Sequence, residues 1–317
     1  MGGPRGDARG RAEGASRGAA GEPRVRRLRL AVPPPFRLDR TIAILQRLPS
    51  NPVDVWSDGA YLRAFDGPGG RVVWRVTQDG ARPLLRVELS GAVGALAPWR
   101  TRLRRMLGLD VDLAPFFAAA RRLPPLAPLL PLADGIRPPR FAALHEAFAA
   151  VVLFQQVSLA SAVATLRRLV AALSPALRVG DAELRAFPSA EALAVAPEAV
   201  YRAAGASGAK ARALRGAAAA IASGALSEAA LAGLPSEALV LRLREVPGVG
   251  PWTANLLALR YFGRLDVFPP GDVAAAKALG ELGSARLVES LGPWRGMLYY
   301  LLFVRRMARA GVPAWLR

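Results

Sequence analysis

Cysteine is absent from this 317-residue chain. Its absence excludes disulfides, thiolate zinc sites, iron–sulfur clusters and cysteine nucleophiles. Histidine occurs once, as His145 in the apolar stretch FAALHEAFAAVVLF, where a packing role is more typical than metal ligation. No apolar run reaches the roughly 18 residues of a membrane span, and the first residues form no apolar signal segment. We therefore expect a cytoplasmic protein without a membrane partner.

Lysine and acidic residues are scarce. Only Lys210 and Lys277 are lysines, so arginine supplies 41 of the 43 basic residues. A GC-rich genome explains a preference for arginine over lysine. It does not explain why 43 basic residues face only 24 acidic ones, which gives a formal net charge of +19 at pH 7. Such an excess indicates a polyanionic partner, most often nucleic acid.

The chain divides into three parts by composition. Residues 1–24 contain almost no large apolar side chain, and this composition predicts a disordered basic tail. Residues 25–110 contain short alternating runs such as AYLRAFDG and GRVVWRVTQDG, separated by Gly-containing turns, with a helical pattern at 38–48. They predict a small α+β domain with an antiparallel sheet. Residues 111–317 predict an α-bundle that stays helical to its end, so the fold class is mainly α.

The stretch VPGVGPWTAN, residues 246–255, interrupts two helical patterns with closely spaced glycines and prolines. Ser236 is a candidate N-cap for the helix before it, and Pro251 suits the first turn of the helix after it. Gly248 and Gly250 can take positive φ and leave the backbone exposed. The pattern predicts a helix, a tight hairpin and a second helix, with free N–H groups placed to bind a phosphate.

Several polar and aromatic residues are candidates for chemistry. Asp272 follows a Pro-Pro-Gly break and precedes a helical pattern, so it suits a helix N-cap, a catalytic carboxylate or both. Trp252 opens the helix after the hairpin, while Trp294 and Tyr299 lie in GPWRGMLYYLLF. An aromatic stripe of this kind is usually core, but a flat ring beside a phosphate site also suits an extruded base.

The segment FQQVS, residues 154–158, places two amides inside an apolar helical region. Because a buried amide is costly without a hydrogen bond, Gln155 and Gln156 indicate one of two structures. One is a hydrogen bond between helices. The other is a local break that directs a side chain toward DNA.

The pattern VPGVGPWTANLLALRYFGRLDVFPPGD resembles the helix-hairpin-helix (HhH-GPD) DNA glycosylase superfamily and, more narrowly, its 3-methyladenine DNA glycosylase II branch. The segments FQQVSLASA, GAKARALRGAAAAIASG and LGPWRGMLYYLLF support this resemblance, which covers about residues 25–317. It implies two helical subdomains that flank a cleft, preceded by a sheet-rich N-terminal domain. The three expected parts are therefore the tail (1–24), the α+β domain (25–110) and the glycosylase domain (111–317).

The resemblance also implies roles for individual residues. Asp272 matches the catalytic aspartate, and Gln156 matches the residue that is inserted into the duplex. The base pocket is implied for Trp252, Trp294 and Tyr299, and DNA binding for Gln155, Gln156, Gly248, Gly250 and Thr253. No side chain is expected to hold a metal, but a structural Na⁺ or K⁺ on hairpin carbonyls near Val246 and Gly248 is implied. Gly271 and Leu256 depart from some relatives, which have an acid and an aromatic residue there.

The activity implied by the resemblance is base excision from duplex DNA. Relatives that also cut the strand carry a lysine at the place of Trp252, and neither Lys210 nor Lys277 is there. We therefore expect a monofunctional enzyme that removes alkylated purines of the 3-methyladenine and 7-methylguanine type. It would leave an abasic site and act as a monomer without an obligate protein partner. The alternatives are a glycosylase for oxidised or deaminated bases and a non-enzymatic helix-hairpin-helix DNA-binding protein, which needs neither Asp272 nor an aromatic pocket.

Overall fold

The computed structural model describes Gly2 and residues 25–67, 69–283 and 286–309. Apart from Gly2, the tail predicted over residues 1–24 lies outside the described residues. In the described part, no helix has both the length and the apolar character required to cross a membrane.

An antiparallel sheet forms in the first part of the chain, as predicted. Its strands are β1 (Arg26–Ala31), β2 (Val55–Ser57), β3 (Ala60–Gly67), β4 (Gly70–Gln78) and β5 (Leu84–Gly91), in the order β1-β5-β4-β3-β2. Alternate side chains of β1, β4 and β5 are buried on one face, as the period of two requires. The short strand β2 was not predicted, because three residues carry no recognisable alternation.

Two helices cover the buried face of this sheet. They are α1 (Leu38–Gln46) and α2 (Leu96–Met106), and α1 confirms the helix predicted at 38–48. Ile42 of α1 and Leu103 of α2 pack with Trp74 of β4 in one apolar cluster. Helix α1 ends where Arg47 takes a positive φ of 62°, a conformation that no helix can continue.

The remainder of the described chain is mostly helical. Its helices are α3 (Ala114–Ala120), α4 (Leu144–Leu153), α5 (Leu159–Leu173), α6 (Ala190–Val195), α7 (Glu198–Ala204), α8 (Gly208–Ala222), α9 (Glu228–Ala232), α10 (Ser236–Arg244), α11 (Pro251–Arg260), α12 (Val273–Glu281), α13 (Leu287–Ser290) and α14 (Arg295–Arg309). The prediction that this part is helical throughout was wrong in one place. Strands β6 (Leu177–Val179) and β7 (Ala182–Leu184) form a hairpin, because Gly180 takes a positive φ between them.

The β6–β7 hairpin and an ionic cluster join the sheet to the helices. Leu184 of β7 packs on Leu62 at the outer face of the sheet. On the other side, Arg63 of β3 donates hydrogen bonds to Asp54, at 2.5 Å, and to Glu146 of α4. All three side chains are buried, and burial raises the pKa of the Glu146 carboxyl. Helix α4, which leads into the Gln155–Gln156 segment, is thereby anchored to the sheet.

Candidate active site

Asp272 is the N-cap of helix α12. Its Oδ1 accepts a hydrogen bond from the backbone N–H of Ala275 at 2.9 Å, as predicted for this position. Gly271 turns the chain into the helix with a φ of 70°, a conformation that favours glycine over the acid found in some relatives. The cap leaves Oδ2 of Asp272 free to accept hydrogen bonds from other elements.

Two aromatic side chains donate to Oδ2 of Asp272. The indole Nε1 of Trp252, in the first turn of α11, lies 2.9 Å from it, and the hydroxyl of Tyr299, on α14, lies 3.0 Å from it. Three helices therefore hold one carboxylate in a single orientation. The sequence predicted these rings as walls of a base pocket and missed their role as donors. No local pattern connects Asp272 to residues 20 positions before and 27 positions after it.

Tyr299 is suited to remain a donor. Burial, and then the negative charge of Asp272, raise the pKa of its phenol well above the ordinary value of a tyrosine. Its ring meets Phe268 edge to face, with the centroids 5.9 Å apart. The hydroxyl is therefore protonated at neutral and mildly alkaline pH, and the ring is fixed by packing.

The remaining aromatic candidate, Trp294, contacts the ring of Phe116. Trp294 is half-buried in a 3-10 turn before α14, with its ring centroid 6.4 Å from that of Phe116. Tyr300 is buried, and its hydroxyl donates to the carbonyl of Pro139 at 3.0 Å, so it belongs to the core. Leu256 is buried in the core as well. The pocket role of Trp294 stays a prediction.

The predicted hairpin joins α10 to α11. Pro251 is the first residue of α11, as expected, and Gly248 has a φ of 82°. A Cβ added at Gly248 would lie 2.6 Å from the Cβ of Ala213 on α8, so only glycine fits. Gly250 instead is extended, with a φ of −86°, so it does not use the positive φ open to a glycine. The N-cap assignment of Ser236 was also wrong, because α10 already begins at Ser236 and the cap is Pro235.

The helical region breaks at the two glutamines, as one of the two interpretations predicted. Helix α4 ends at Leu153 and α5 begins at Leu159. Between them, Gln156 is exposed and adopts a φ of 55°, which is uncommon for a residue other than glycine. Such a strained residue at the surface is typical of functional sites. Its insertion into DNA stays a prediction.

Gln155 fits the other interpretation, a hydrogen bond between elements. Its amide Nε2 donates to the carbonyl of Gly248 at 3.2 Å and to the hydroxyl of Thr253 at 2.8 Å. The side chain of Thr253 is buried and faces Gln155. Contact of Gln155, Gly248, Gly250 or Thr253 with DNA stays a prediction. The geometry adds that Gln155 and Thr253 attach the broken segment to the hairpin.

The Na⁺ or K⁺ on the hairpin carbonyls stays a prediction. The oxygen of Val246 accepts the N–H of Val249 at 3.0 Å, and that of Gly248 accepts the amide of Gln155. Because a carbonyl has two lone pairs, each oxygen retains one for a ligand. Among the side chains of residues 25–67, 69–283 and 286–309, by contrast, there is no cluster of three metal-ligating groups.

Comparison with known proteins assigns both parts of the chain. The AlkA N-terminal domain matches residues 27–143, and the description "HhH-GPD superfamily base excision DNA repair protein" matches residues 149–289. The chain is 31% identical over 277 residues to the "Probable bifunctional transcriptional activator/DNA repair enzyme AlkA" of Mycobacterium tuberculosis. This match covers 81% of the chain but only about half of the relative (51%). DNA-3-methyladenine glycosylase 2 of Escherichia coli is 29% identical over 86% of the chain and 94% of its own length.

Solved structures show the same fold. The 3-methyladenine DNA-glycosylase from Archaeoglobus fulgidus aligns with a TM-score of 0.73 at 22% identity, over 88% of this chain and 98% of its own. The Clostridium acetobutylicum 8-oxoguanine glycosylase/lyase, in complex with DNA, aligns with a TM-score of 0.69 at 17% identity, over 87% of this chain and 93% of its own. The two domain matches, in chain order, and the geometry around Asp272 agree: the chain belongs to the HhH-GPD superfamily of base excision DNA repair proteins, in its AlkA-like branch.

Proposed function

We propose that the protein is a monofunctional DNA glycosylase that hydrolyses alkylated purines from duplex DNA. The observation that carries the proposal is the Asp272 carboxylate, which accepts hydrogen bonds from Ala275, Trp252 and Tyr299 beside a helix N-terminus. A protein that only binds DNA would use the helix cap of Asp272 but would not need the two further donors on its Oδ2. The names of the mycobacterial and Escherichia coli relatives support repair activity and the 3-methyladenine substrate class.

The chemistry begins with extrusion of the damaged nucleotide, because a stacked base is out of reach. The hairpin around Gly248 holds the backbone, and Gln156 fills the gap in the stack. As the glycosidic bond breaks, positive charge develops on the sugar. The Asp272 carboxylate stabilises this charge or orients the attacking water. Trp252 and Tyr299 keep the carboxylate in place, so it does not need to reorganise during the reaction.

Alkylated purines suit this site for two reasons. A purine methylated at N3 or N7 is cationic and therefore a good leaving group. The face of Trp252, which is half-buried, would attract such a cation by about 0.5–2 kcal/mol. The partner we propose is accordingly double-stranded DNA with a damaged base, bound by a monomer. A Na⁺ or K⁺ held by the carbonyls of Val246 and Gly248 would add positive charge beside the DNA backbone.

The lysines support hydrolysis without strand cleavage. The Nζ of Lys210 donates hydrogen bonds to the carbonyls of Leu153 and Gln155, so it is engaged away from Asp272. Lys277 is exposed on α12, on the turn after the cap. An indole occupies the place where strand-cutting relatives have an amine. Borohydride should therefore trap no covalent complex with DNA, whereas a trapped complex would show a lyase.

A panel of duplexes tests the substrate class. Each duplex carries one lesion: 3-methyladenine, 7-methylguanine, hypoxanthine or 8-oxoguanine. We expect single-turnover release to be fastest for the two cationic bases. Faster release of 8-oxoguanine or hypoxanthine would instead favour a glycosylase for oxidised or deaminated bases. Binding of every duplex without release would indicate the non-enzymatic alternative.

Tyr299→Phe tests the hydroxyl that donates to Asp272. Because a hydrogen bond to a charged group is lost while the ring keeps its packing on Phe268, we expect base release to slow by about tenfold. Tyr300→Phe is the matched control, since it removes a neighbouring hydroxyl that bonds the Pro139 carbonyl. The control should lower the melting temperature and leave the release rate unchanged. Equal slowing in both variants would contradict the assigned role of Tyr299.

Gly250→Val tests the approach of the hairpin to a phosphate. A Cβ at Gly250 would meet no protein atom and the backbone is extended, so valine should cost only the glycine N-cap of α11, about 1 kcal/mol or less. If a DNA phosphate approaches this backbone, the valine side chain should block the contact, and the affinity for duplex DNA should fall by about tenfold. The fall should be equal for all duplexes, since phosphate contacts carry no sequence information. Gly216→Val, at another open position on α8, is the control. Unchanged affinity of the Gly250 variant would restrict the hairpin to a structural role.

A further inference from the structure

Lys210 stands out by its type and its position. It is one of two lysines in a chain whose other basic residues are all arginine. It lies in the first turn of α8, where the positive end of the helix dipole disfavours a cation. Burial also lowers the pKa of its amine. A lysine in this place costs stability locally, so its contacts should explain it.

The ammonium group of Lys210 caps the end of α4. Its Nζ lies 2.7 Å from the carbonyl of Gln155 and 3.2 Å from that of Leu153. The carbonyl of Leu153 is the last of α4 and lacks an intrahelical partner, and that of Gln155 lies just beyond the helix C-terminus, where a cation is favourable. The compact ammonium carries three donors, and two of them serve these two carbonyls.

The same segment is attached to the hairpin by the side chain of Gln155. The side-chain amide of Gln155 donates to the carbonyl of Gly248 and to the hydroxyl of Thr253, while the backbone carbonyl of Gln155 accepts from Lys210. One turn further along α8, Ala213 lies directly against Gly248. Helix α8 therefore supports both the broken segment and the hairpin, and Gln156 is the next residue of that segment.

We propose that Lys210 is a positioning residue, which holds Gln156 at the height and angle needed to enter the duplex when the hairpin holds the backbone. This inference rests on the proposed base extrusion. Lys210 touches neither DNA nor the reacting atoms in this role. It acts through the backbone of Gln155 and through the strained conformation of Gln156.

Lys210→Met in the full chain tests the inference. The readout is fluorescence of 2-aminopurine placed next to an abasic-site analogue or a 7-methylguanine, which rises when Gln156 disturbs the stack. We expect the insertion equilibrium and the rate of base release each to fall by about tenfold, because a hydrogen-bonded charge is lost. The control is Lys277→Met, which removes an equal charge from an exposed lysine. Lys210→Met and Lys277→Met should bind undamaged duplex DNA with the same affinity.

Lys210→Gln, which keeps an uncharged donor, carries the test if Lys210→Met fails to fold. Gln155→Leu removes the separate attachment of this segment to the hairpin, so combining it with Lys210→Met should lower insertion further than either single substitution. Wild-type insertion and release in Lys210→Met would overturn the inference. The inference would also be overturned if the affinity of Lys210→Met for undamaged duplex DNA fell by the same factor as its insertion equilibrium. If the wild-type protein releases no base, the proposed function fails, while the abasic-analogue signal still decides the role of Lys210.

Discussion

Asp272→Asn is expected to slow base release by about 10³-fold, the loss typical when a preorganised group that stabilises transition-state charge is removed. Asparagine is also a good N-cap and can accept the N–H of Ala275, so α12 should keep its start. The variant therefore removes the negative charge without removing the helix cap. Because the carboxylate acts on the sugar cation and not on phosphate, affinity for a duplex with an abasic analogue should not decrease.

The control for this prediction is Asp266→Asn. Asp266 is an exposed acid in the same loop, and it accepts the hydroxyl of Ser236 at 2.8 Å. The Asp266→Asn substitution removes an equal charge from this loop without removing a partner of Trp252 or Tyr299. Release by this control should match the wild type. Retained turnover in Asp272→Asn, or equal loss in both variants, would remove Asp272 from the mechanism.

Two substitutions of Trp252 should separate its two contributions. Trp252→Phe keeps a ring but deletes the N–H that bonds Asp272, so we expect release of every lesion to slow by about tenfold. Trp252→Ala also deletes the face proposed to meet the base. Release of cationic 3-methyladenine and 7-methylguanine should then fall more than release of neutral hypoxanthine. Stacking common to all bases cancels in that ratio.

Thermal melts of the Trp252 variants distinguish a pocket role from a core role. Truncating a fully buried tryptophan costs about 3–5 kcal/mol of stability. Trp252 is only half-buried, so the cost should be smaller. A large drop in melting temperature with an unchanged lesion ratio in Trp252→Ala would contradict the pocket assignment, and an unchanged rate in Trp252→Phe would contradict the hydrogen bond to Asp272.

Local signals in the sequence predicted the local geometry of the site. The Pro-Pro-Gly-Asp run predicted the cap at Asp272, Pro251 predicted the start of α11, and the two glutamines predicted the break after α4. At Asp272 and Pro251 the residue satisfies or removes a backbone donor within a few positions. Glycine gave less certain information, because it permits positive φ without requiring it. Gly248 uses that freedom and Gly250 does not.

The contacts that complete the site were not predictable in this way. Lys210 reaches a carbonyl 55 residues earlier in the chain, and Trp252 and Tyr299 meet Asp272 from two other helices. These pairings depend on how the helices pack, and helical periodicity shows only which faces are apolar. The resemblance to glycosylases indicated which residues lie near the base. It did not indicate which of them hold the carboxylate.

The most direct test of the central claim is the mass spectrum of what the wild-type protein releases from methylated duplex DNA. The account predicts free 3-methyladenine and 7-methylguanine, together with strands that stay intact until alkali breaks them at the abasic sites. The same measurement with Asp272→Asn should show release slowed by about 10³-fold. Absence of free methylated bases from the wild-type reaction, or strands broken without alkali, would contradict a monofunctional glycosylase for alkylated purines.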